Sequence, residues 1–597
     1  MVQAPVNPVR SVVGAGEIRP SRAPATWLLA VGVPTLVLGL HMALYGRWLV
    51  DDAGITFAYA RSIAAGAGPV LQPGAAPVEG WSNPSWLALL VLASLAGLFD
   101  HGSWFGVPDL VLFPKAVALI CGAGVAAAFH LVAREVIPGR WRAAGAAAAA
   151  GVLVAAVPSY AVWLASGLEN PLLALAVAAL AATLVRAAAR ERLSGVPTAV
   201  TCGLLAALAA LTRPDGLIYV AALPLVLLRR DRAGAALAAA GISVLAFAVP
   251  YGGYLLWRHA TFGLWVPNTA VAKAQGLPGT ASLNRPAELV PVAGWLLVVL
   301  AVGALGAALL RPGRHRPLLA VLLVPLGLAL GAYAVLEPDW MGLQRFATPV
   351  WALGALVAVL SAERALGAAT VRGRAVAGVL AAVALVVSGS SWAATAAKFR
   401  DGLTVPLCAI AVGMGAAPNA FGDVLGISAG RIATPDVGGT ALASRYEVVD
   451  LVGLVSAPIA RFHADGDMAA LRDHVLDEVR PEFIEVHGNW TRTTGLLADP
   501  RTAQRYVPVL MVSPDSGYLV RRDLVDEPAR LEAARALARD VTQPRREAAV
   551  DAPRSSCGSL RPGSTDALAG PSSRLLEPAD EPQPDSSGPS SAVNWSR

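Results

Sequence analysis

The stretch DDAGITFAYAR, residues 51–61, follows an apolar run at 27–46 that is long enough to cross a bilayer. It belongs to a polar, aromatic loop, residues 47–84, which ends in PVEGWSNP at 77–84. Because Asp is a good N-cap and Gly a good C-terminal stop, the pattern predicts a short helix from Ala53 to Ala65, ended by Gly66. One of the two carboxylates, Asp51 or Asp52, can cap this helix while the other faces a cavity. The stretch therefore predicts an acidic site at a membrane surface.

The composition is that of a polytopic membrane protein. Of 597 residues, 55% are hydrophobic and only 15% are charged, which excludes an ordinary soluble globule. The net charge of +6 comes from arginines that cluster between apolar runs, a pattern that favours a membrane-topology signal over a nucleic-acid surface. The four cysteines lie far apart without metal-ligand spacing, so neither a disulfide framework nor a zinc site is predicted.

Apolar runs define the predicted membrane spans. About eleven of them lie at 27–46, 113–133, 143–162, 171–189, 198–212, 217–228, 235–257, 289–310, 317–336, 346–361 and 375–392. With the N-terminal tail 1–26 in the cytoplasm, the positive-inside rule places the later arginine clusters on the same side, provided that the run 85–99 does not cross. The loop 47–84 then lies outside. No small-residue cleavage pattern follows the first run, so we expect it to be a retained span.

Four further polar segments fall on the predicted outer side, at 166–170, 212–216, 258–285 and 337–345. The two runs that flank 212–216 are too short to cross ~30 Å of hydrocarbon, so we expect Arg213 and Asp215 to lie below the interface and face a cavity. Charged residues at that depth mark functional sites. The alternative is an ion pair of Arg213 with Asp215 that only joins two helix ends.

The composition changes after the last span. Residues 393–530 mix polar and apolar runs, such as YEVVDLV at 446–452 and FIEVH at 483–487, and predict a small α/β domain. The odd number of spans places this domain outside. Residues 531–597 are rich in Pro, Ser, Asp and Arg, and the composition predicts a disordered tail.

The polar residues of the outer segments suit the transfer of a lipid-linked sugar. Tryptophan rings pack against sugar C–H surfaces, and carboxylates and amides bind hydroxyl groups. An inverting transfer needs one carboxylate to take the proton of the acceptor hydroxyl, and cations to stabilise the departing phosphate. Repulsion between Asp51 and Asp52, with partial desolvation, would raise the pKa of one carboxyl towards neutrality.

The motifs, taken in their order along the chain, resemble those of GT-C type membrane glycosyltransferases, in particular the actinobacterial terminal β-(1→2)-arabinofuranosyltransferase group. They are DDA with ITF and YAR in 51–61, VEGWSNPSW at 78–86, SGLE at 166–169, LTRPDG at 211–216, VPNT at 266–269 with Lys273, DWM at 339–341 followed by Arg345-Phe346, and DLVGL at 450–454. The resemblance covers residues 27–525. The chain departs from the family at Ala58, often an Arg, and at Gly54, often an aromatic residue. These departures concern the identity of the transferred sugar more than the type of reaction.

The resemblance implies an inverting glycosyltransferase at the plasma membrane of a bacterium, with its site on the outer face. The donor would be a polyprenyl-phosphate sugar, decaprenyl-phosphoryl-arabinofuranose, and the acceptor an arabinan or related envelope glycan. Asp51 is expected to be the general base and Asp52 a cap or acceptor holder. The other expected substrate contacts are Glu79, Trp81 and Asn83 on the acceptor side, Arg213, Lys273 and Arg345 at the donor phosphate, and Glu169, Asp215, Asn268, Asp339 and Trp340. Glu169 fits a helix-start carboxylate equally well. No cofactor is required, although this many carboxylates would also suit a divalent metal.

Three other functions use the same residue types. One is a GT-C transferase with another polyprenyl-phosphate sugar, and the second is a transporter or flippase for a lipid-linked sugar. The third is a scaffold whose outer domain binds glycan. A transporter is expected to show internal repeats and charged residues on both sides of a midplane site, and the sequence shows neither.

Overall fold

The computed structural model describes residues 23–228, 233–273, 279–337, 339–551 and 560–568. A bundle of helices forms the first part, and a domain of helices around a β-sheet follows from Leu407 onward. Most of the predicted cytoplasmic tail 1–26 lies outside the described residues. The protein is a multi-pass helical membrane protein with a C-terminal α/β domain, and the predicted fold class is confirmed.

The helices of the bundle range in length from 5 to 31 residues. In chain order they are α1 (Ala23–Trp27), α2 (Val33–Ala43), α3 (Asp51–Ala64), α4 (Pro84–Leu95), α5 (Asp109–Val136), α6 (Arg140–Ala156), α7 (Pro158–Ala165), α8 (Asn170–Ala189), α9 (Val196–Thr212), α10 (Ala222–Leu227), α11 (Ala233–Phe262), α12 (Asn268–Lys273), α13 (Leu289–Ala293), α14 (Trp295–Leu310), α15 (His315–Val335), α16 (Thr348–Gly367) and α17 (Val371–Asp401). A π turn, Leu28–Gly32, joins α1 to α2, and 3₁₀ turns cover Pro214–Ala221, Thr280–Glu288 and Arg345–Ala347. A small antiparallel pair, β1 (Ser103–Trp104) and β2 (Val107–Pro108), precedes α5.

The number of membrane spans is smaller than predicted. Among the described residues, 8 helices are long and apolar enough to cross a membrane, or up to 10 if each of two bent helix pairs is one span; one of the 8, Leu407–Leu425, belongs to the C-terminal domain. The predicted runs 198–212 and 217–228 form only short apolar helices, because the chain is extended at Arg213 and Pro214 has no N–H to continue α9. The run 85–99 forms α4, whose 12 residues are too short to cross ~30 Å, as expected.

The C-terminal domain contains a five-stranded mixed sheet. Its strands are β3 (Arg431–Thr434), β4 (Glu447–Asp450), β5 (Phe483–Val486), β6 (Tyr506–Ser513) and β7 (Ser516–Arg521), in the order β4-β3-β5-β7-β6. The pairs of β3 with β4 and β5 are parallel, whereas β7 pairs antiparallel with β5 and β6. The parallel strands therefore end at one common edge of the sheet, which we call the carboxyl edge.

Helices cover both faces of this sheet. They are α18 (Leu407–Ile410), α19 (Ala417–Leu425), α20 (Gly438–Ala443), α21 (Ala457–Asp465), α22 (Met468–Asp473), α23 (Gly488–Thr494), α24 (Pro500–Arg505), α25 (Pro528–Leu537) and α26 (Gln543–Asp551). Apolar side chains of α19 and α25 pack on one face, and those of α21 and α22 pack on the other. Since α25 and α26 are helical and Ala534 and Ala538 are buried in the domain core, the prediction of disorder is wrong for 531–551. Most of the remaining tail lies outside the described residues.

One cysteine departs from the expectation that the cysteines form no disulfide framework. Cys121 and Cys202 are buried and free, whereas Cys408 in α18 is disulfide-bonded. The prediction that the chain has no disulfide is therefore wrong at Cys408. Spacing along the chain carries no information on which cysteines the fold brings together.

Side chains of the loop 47–84 bind the C-terminal domain. The Arg61 guanidinium donates hydrogen bonds to the carbonyl oxygens of Ala441, at 2.8 Å, and Leu442, at 3.0 Å. The Gln72 amide donates to the carbonyl oxygen of Tyr446 at 3.2 Å. Helix α3 therefore lies between the helical bundle and the C-terminal domain.

Candidate active site

Asp51 is bound by the C-terminal domain. The residue is 4% exposed, and its Oδ1 and Oδ2 accept hydrogen bonds from the N–H groups of Gly439, at 2.7 Å, and Gly438, at 3.0 Å. Both N–H groups belong to the first turn of α20, where a negative charge is favourable. Burial and the neighbouring carboxylates of Asp436 and Asp52 raise the pKa of Asp51 well above its usual value, while the two N–H groups oppose this rise. Asp51 thus joins α3 to α20.

Neither aspartate caps its own helix. The predicted helix is present as α3 and begins at Asp51, with Val50 as its N-cap and no side-chain capping bond. Gly66 follows the helix at φ 80°, a conformation that favours glycine. The expectation that one carboxylate caps α3 is therefore wrong, because both lie within its first turn.

Asp52 lies on a different side of α3 from Asp51. It is half-buried and makes no hydrogen bond or ion pair with any residue that the structure describes. Burial raises its pKa, and the positive charges of Arg345 and Lys273 oppose that rise. Asp52 is therefore an unpaired carboxylate within electrostatic reach of two cations.

A buried chain of polar groups lies beside Asp52. The Asn83 amide donates to Glu169 Oε2 at 2.8 Å, and Arg213 Nη1 donates to Glu169 Oε1 at 2.9 Å. Arg213 Nε in turn donates to Asp215 Oδ1 at 2.9 Å, which is the ion pair considered from the sequence. All four side chains are largely buried, so each charge is held in a fixed place.

Arg345 is held by an acid and by aromatic rings. Its Nε lies 2.7 Å from Asp339 Oδ2, and the guanidinium lies over the rings of Phe346, at 5.0 Å, and Trp163, at 5.7 Å. Arg213 also lies over Phe346, at 4.5 Å. The two arginines therefore share one aromatic ring, and each is also paired with a carboxylate.

Lys273 and Trp340 are the exposed members of the expected site. Lys273 ends α12, is exposed, and makes no ion pair with a described residue. Trp340 is 57% exposed, beside the pair of Asp339 with Arg345. Both side chains are thus free to meet a ligand that enters from outside the bundle.

Glu79 and Trp81 are packed inside the protein. Glu79 is 1% exposed; it accepts hydrogen bonds from Arg258 at 2.5 and 3.0 Å and from Tyr254 Oη at 2.5 Å. The Trp81 indole donates to Tyr254 Oη at 3.0 Å, and its ring meets the edge of Tyr59 at 4.6 Å. The structure therefore places both residues in the support of the loop and not on an open surface; their expected contact with the acceptor stays a prediction.

Asn268 binds the C-terminal domain. Its amide donates to the carbonyl oxygens of Gly453, at 2.7 Å, and Leu454, at 3.0 Å. That turn is shaped by Asp450, which accepts from the N–H groups of Val452 and Val455. The expected motifs VPNT and DLVGL thus contact each other.

The sequence reasoning missed the contribution of the C-terminal domain to the site. Gly438, Gly439 and Asp436, next to Asp51, all follow β3, and His487 follows β5. Polar residues directly after strands of a parallel sheet meet at one edge, so the strand pattern at 483–487 carried a usable signal. No pattern within the chain indicated that this edge would meet α3.

The geometry gives the site two chemically different halves. The bundle supplies Lys273, Arg213 and Arg345, which suit an anionic phosphate, and α3 supplies the unpaired carboxylate of Asp52 between this region and the C-terminal domain. Within the described ranges, no group of three or more His, Cys, Asp or Glu side chains is placed to hold a metal ion. The arrangement can stabilise a leaving phosphate on one side and accept a proton on the other.

Comparisons with known proteins bear on the family. No family model matches the chain. Over 296 residues, 46% of this chain, it is 30% identical to the terminal β-(1→2)-arabinofuranosyltransferase of Mycobacterium tuberculosis. The match spans 43% of that relative, less than half of its length. The resemblance indicated by the motifs is therefore confirmed as a sequence similarity to this relative.

Two solved proteins are similar to the chain in structure. One is ArnT from Cupriavidus metallidurans bound to undecaprenyl phosphate, with 19% identity, a TM-score of 0.44, and coverage of 76% of this chain and 80% of that one. The other is the oligosaccharyltransferase AglB from Archaeoglobus fulgidus in complex with an inhibitory peptide and a dolichol-phosphate. It shows 13% identity and a TM-score of 0.47, over 76% of this chain and 69% of that one.

Proposed function

We propose that the protein transfers a sugar from a polyprenyl-phosphate donor to a glycan acceptor, with Asp52 as the general base. The observation that carries the proposal is the unpaired Asp52 carboxylate within electrostatic reach of Lys273 and Arg345. An acid and cations side by side, at the end of a membrane bundle, are what a lipid-phosphate leaving group and a neutral nucleophile require.

In the proposed reaction, Asp52 accepts a proton and the cations of the bundle stabilise the leaving phosphate. An acceptor hydroxyl gives its proton to a carboxylate oxygen of Asp52 while its oxygen forms a bond to the anomeric carbon of the donor sugar. The bond from that carbon to the phosphate oxygen breaks, and the electron pair leaves with the phosphate. Lys273, Arg213 and Arg345 stabilise the negative charge that grows there. Burial keeps the pKa of Asp52 raised, which makes its carboxylate a better proton acceptor.

The choice of Asp52 over Asp51 rests on hydrogen bonding. Both oxygens of Asp51 already accept N–H groups from α20, and these bonds favour its ionised form and hold the carboxylate against the C-terminal domain. Asp52 has no such partner among the described residues. We therefore assign Asp51 to positioning and Asp52 to proton transfer, the reverse of the order expected from the sequence.

The proposed sugar is arabinofuranose, carried by decaprenyl phosphate, and the proposed acceptor is an arabinan or related envelope glycan. The similarity to the mycobacterial terminal β-(1→2)-arabinofuranosyltransferase supports the choice of arabinofuranose as the sugar. In this proposal the site and the C-terminal domain face the outside of the plasma membrane, where envelope glycans are built. No metal is included, because Lys273 and the two arginines supply the positive charge. Activity that persists in excess EDTA would agree with this.

The test is transfer of radiolabelled arabinofuranose from its decaprenyl-phosphate to a synthetic arabinan oligosaccharide by the purified full chain. We expect Asp52→Asn to lower kcat at least about 100-fold with little change in thermal unfolding, because a general base contributes about 10²–10⁴-fold. Asp51→Asn is the matched control. It should lower the unfolding temperature and retain part of the activity, because an amide oxygen can still accept one N–H bond of α20.

Each other outcome has a defined meaning. Activity lost only in the Asp51 variant, at unchanged stability, would reverse the assignment of the two aspartates. Transfer only from another polyprenyl-phosphate sugar would overturn the choice of arabinofuranose and leave the mechanism standing. Failure with every polyprenyl-phosphate sugar would overturn the proposed function itself.

A further inference from the structure

The carboxyl edge of the C-terminal sheet has a topological switch point of the kind at which other α/β proteins bind ligands, and we call the space there the crevice. The chain leaves β3 towards β4 on one side and later returns to β5 on the other side, so the strand order reverses between β3 and β5. In open α/β sheets, ligands bind outside the carboxyl ends of the strands at such a switch point. The crevice between the ends of β3 and β5 is therefore a candidate binding site.

Polar side chains from both strand ends meet in this crevice. Thr434 Oγ1, at the end of β3, donates to Glu485 Oε2 at 3.0 Å, and His487 Nε2 lies 3.4 Å from Asp436 Oδ2. His487 Nδ1 lies 3.1 Å from Glu485 Oε1. The Asp436 and His487 side chains retain 17% and 13% exposure, whereas Glu485 is 1% exposed. Asp436 and His487 thus remain partly exposed, and the buried Glu485 holds His487 from within the sheet.

The residues after β5 add an aromatic ring and an amide to the same edge. Asn489 is exposed, and Trp490 is half-buried in the first turn of α23. The Trp490 ring meets His463 of α21 at 6.0 Å and an angle of 81°, and His463 Nε2 lies 2.8 Å from the carbonyl oxygen of Leu451. The Trp490 indole N–H has no hydrogen-bond partner within the described part of the chain. An imidazole, a carboxylate, an amide and a tryptophan ring with a free donor therefore line one edge.

The crevice lies next to the proposed reaction centre. The Asp436 carboxylate acts electrostatically on both Asp51 and Asp52. On the other side, α21 packs against α12, the helix that ends at Lys273. A chain-like ligand lying along the carboxyl edge would thus have one end at Asp52.

The chemistry of the edge fits a neutral, polyhydroxylated chain. Carboxylate, imidazole and amide groups pair with hydroxyls, and a tryptophan ring packs on the C–H face of a sugar. The positive charges of His487 and Arg546 and the negative charges of Asp436 and Glu485 compensate one another, so the edge carries no strong attraction for an anion. The cations of the bundle suit the phosphate of the donor better than the crevice does. The crevice therefore suits the other substrate, the glycan acceptor.

We propose that the crevice at Asp436, His487 and Trp490 binds the acceptor glycan, holding the sugar units that precede the accepting hydroxyl. The inference rests on the proposed transferase function and adds a glycan subsite in the C-terminal domain. It assigns these residues to acceptor positioning and leaves proton transfer to Asp52.

The experiment uses the purified full chain and synthetic arabinan oligosaccharides of two and six residues. Transfer kinetics are measured for wild type, Trp490→Ala and His487→Gln. The matched controls are Trp104→Ala, an exposed tryptophan of the hairpin before α5, and His474→Gln, whose ring pairs with Glu478 away from the crevice. Binding of the hexasaccharide without donor is followed by saturation-transfer NMR, and thermal unfolding is recorded for every variant.

We expect Trp490→Ala and His487→Gln to raise KM for the hexasaccharide about tenfold, with kcat and the donor KM within about twofold of wild type. The disaccharide, which is too short to reach the crevice, should lose little. Both crevice variants should weaken the NMR signal of the hexasaccharide, and both controls should keep it.

An unchanged acceptor KM in both crevice variants overturns the inference, as does an equal loss for the two acceptor lengths. A fall in kcat that follows a lowered unfolding temperature, with KM unchanged, overturns it as well, because it shows a structural role. If wild type transfers no sugar but binds the hexasaccharide through Trp490, the proposed function fails while the glycan site stands.

Discussion

Gly54 allows α3 to pack closely against the C-terminal domain. It lies three positions after Asp51 on α3 and therefore on the same face of the helix. A Cβ atom at Gly54 would lie 2.7 Å from Gly438 C and from Leu407 Cδ1, and 2.9 Å from Gly438 Cα. Two of these three atoms are backbone and cannot rotate away. We predict that Gly54→Ala separates α3 from α20.

The size of the effect follows from these distances. Carbon atoms in contact lie about 3.5–4.0 Å apart, so α20 must move by roughly 1 Å to admit the new methyl group. The same movement lengthens the bonds of 2.7 and 3.0 Å from Gly439 and Gly438 to Asp51. Hydrogen bonds to a charged group contribute about 1.5–3 kcal/mol each, and overpacking alone costs about 1–3 kcal/mol. Against this, alanine is about 1 kcal/mol better than glycine in a helix. The net loss of docking free energy is on the order of 3 kcal/mol.

Hydrogen exchange measures this loss directly. A loss of about 3 kcal/mol should speed amide exchange in α20 about 100-fold if the helix exchanges through opening of this contact. The matched control is Gly241→Ala in α11, a helical glycine where a new Cβ meets nothing within 4 Å. That variant should leave α20 unchanged. Transfer activity should fall with the loss of protection in Gly54→Ala. Wild-type exchange rates and activity in Gly54→Ala would refute the reasoning, because they would show that the contact gives way at no cost.

Three further predictions concern single side chains. Glu79→Gln should leave the Arg258 guanidinium buried without its counter-charge and lower the unfolding free energy by about 3–5 kcal/mol, seen as a lower unfolding temperature; a raised donor KM at unchanged stability would contradict this. Lys273→Ala should raise the donor KM about tenfold, whereas Lys398→Ala, an exposed lysine of α17, should not; equal effects of the two would show a general charge effect. Although burial opposes it, the carboxylates of Glu485 and Asp436 raise the pKa of His487 from 6.5 to about 9. Its contribution to stability is therefore complete below pH 6.5 and lost as the pH rises through about 9, and unfolding of His487→Gln should lack this decline between pH 7 and pH 9.

The sequence predicted the features that local patterns determine. The helix α3, most of the long apolar spans and the strand at 483–486 each follow from periodicity over fewer than thirty residues. The motifs also assigned to one site several side chains that are paired in the structure, such as Glu169 with Arg213 and Asp339 with Arg345. These groups flank the ends of neighbouring helices, where polar residues of a membrane protein gather.

Contacts between distant parts of the chain could not be predicted in the same way. Asp51 and its partner Gly438 are 387 positions apart, and nothing near either residue indicates the other. From the sequence, the departure from the family at Gly54 is interpreted as bearing on the sugar. In the structure, the absence of a side chain at Gly54 lets α20 approach α3. The helix α25 was missed for a similar reason: its polar composition indicates disorder, but the burial of Ala534 and Ala538 against the sheet stabilises it.

The two adjacent carboxylates face different directions because they belong to one helix. Successive residues of an α-helix point about 100° apart, so Asp51 can face α20 only if Asp52 faces the side of Lys273 and Arg345. The hydrogen bonds from Gly438 and Gly439 fix the rotation of α3 about its own axis and, with it, the direction of Asp52. Docking of the C-terminal domain thus sets the direction in which the proposed base, Asp52, points. A change that loosens this domain should therefore lower kcat even where it leaves every residue of the bundle in place.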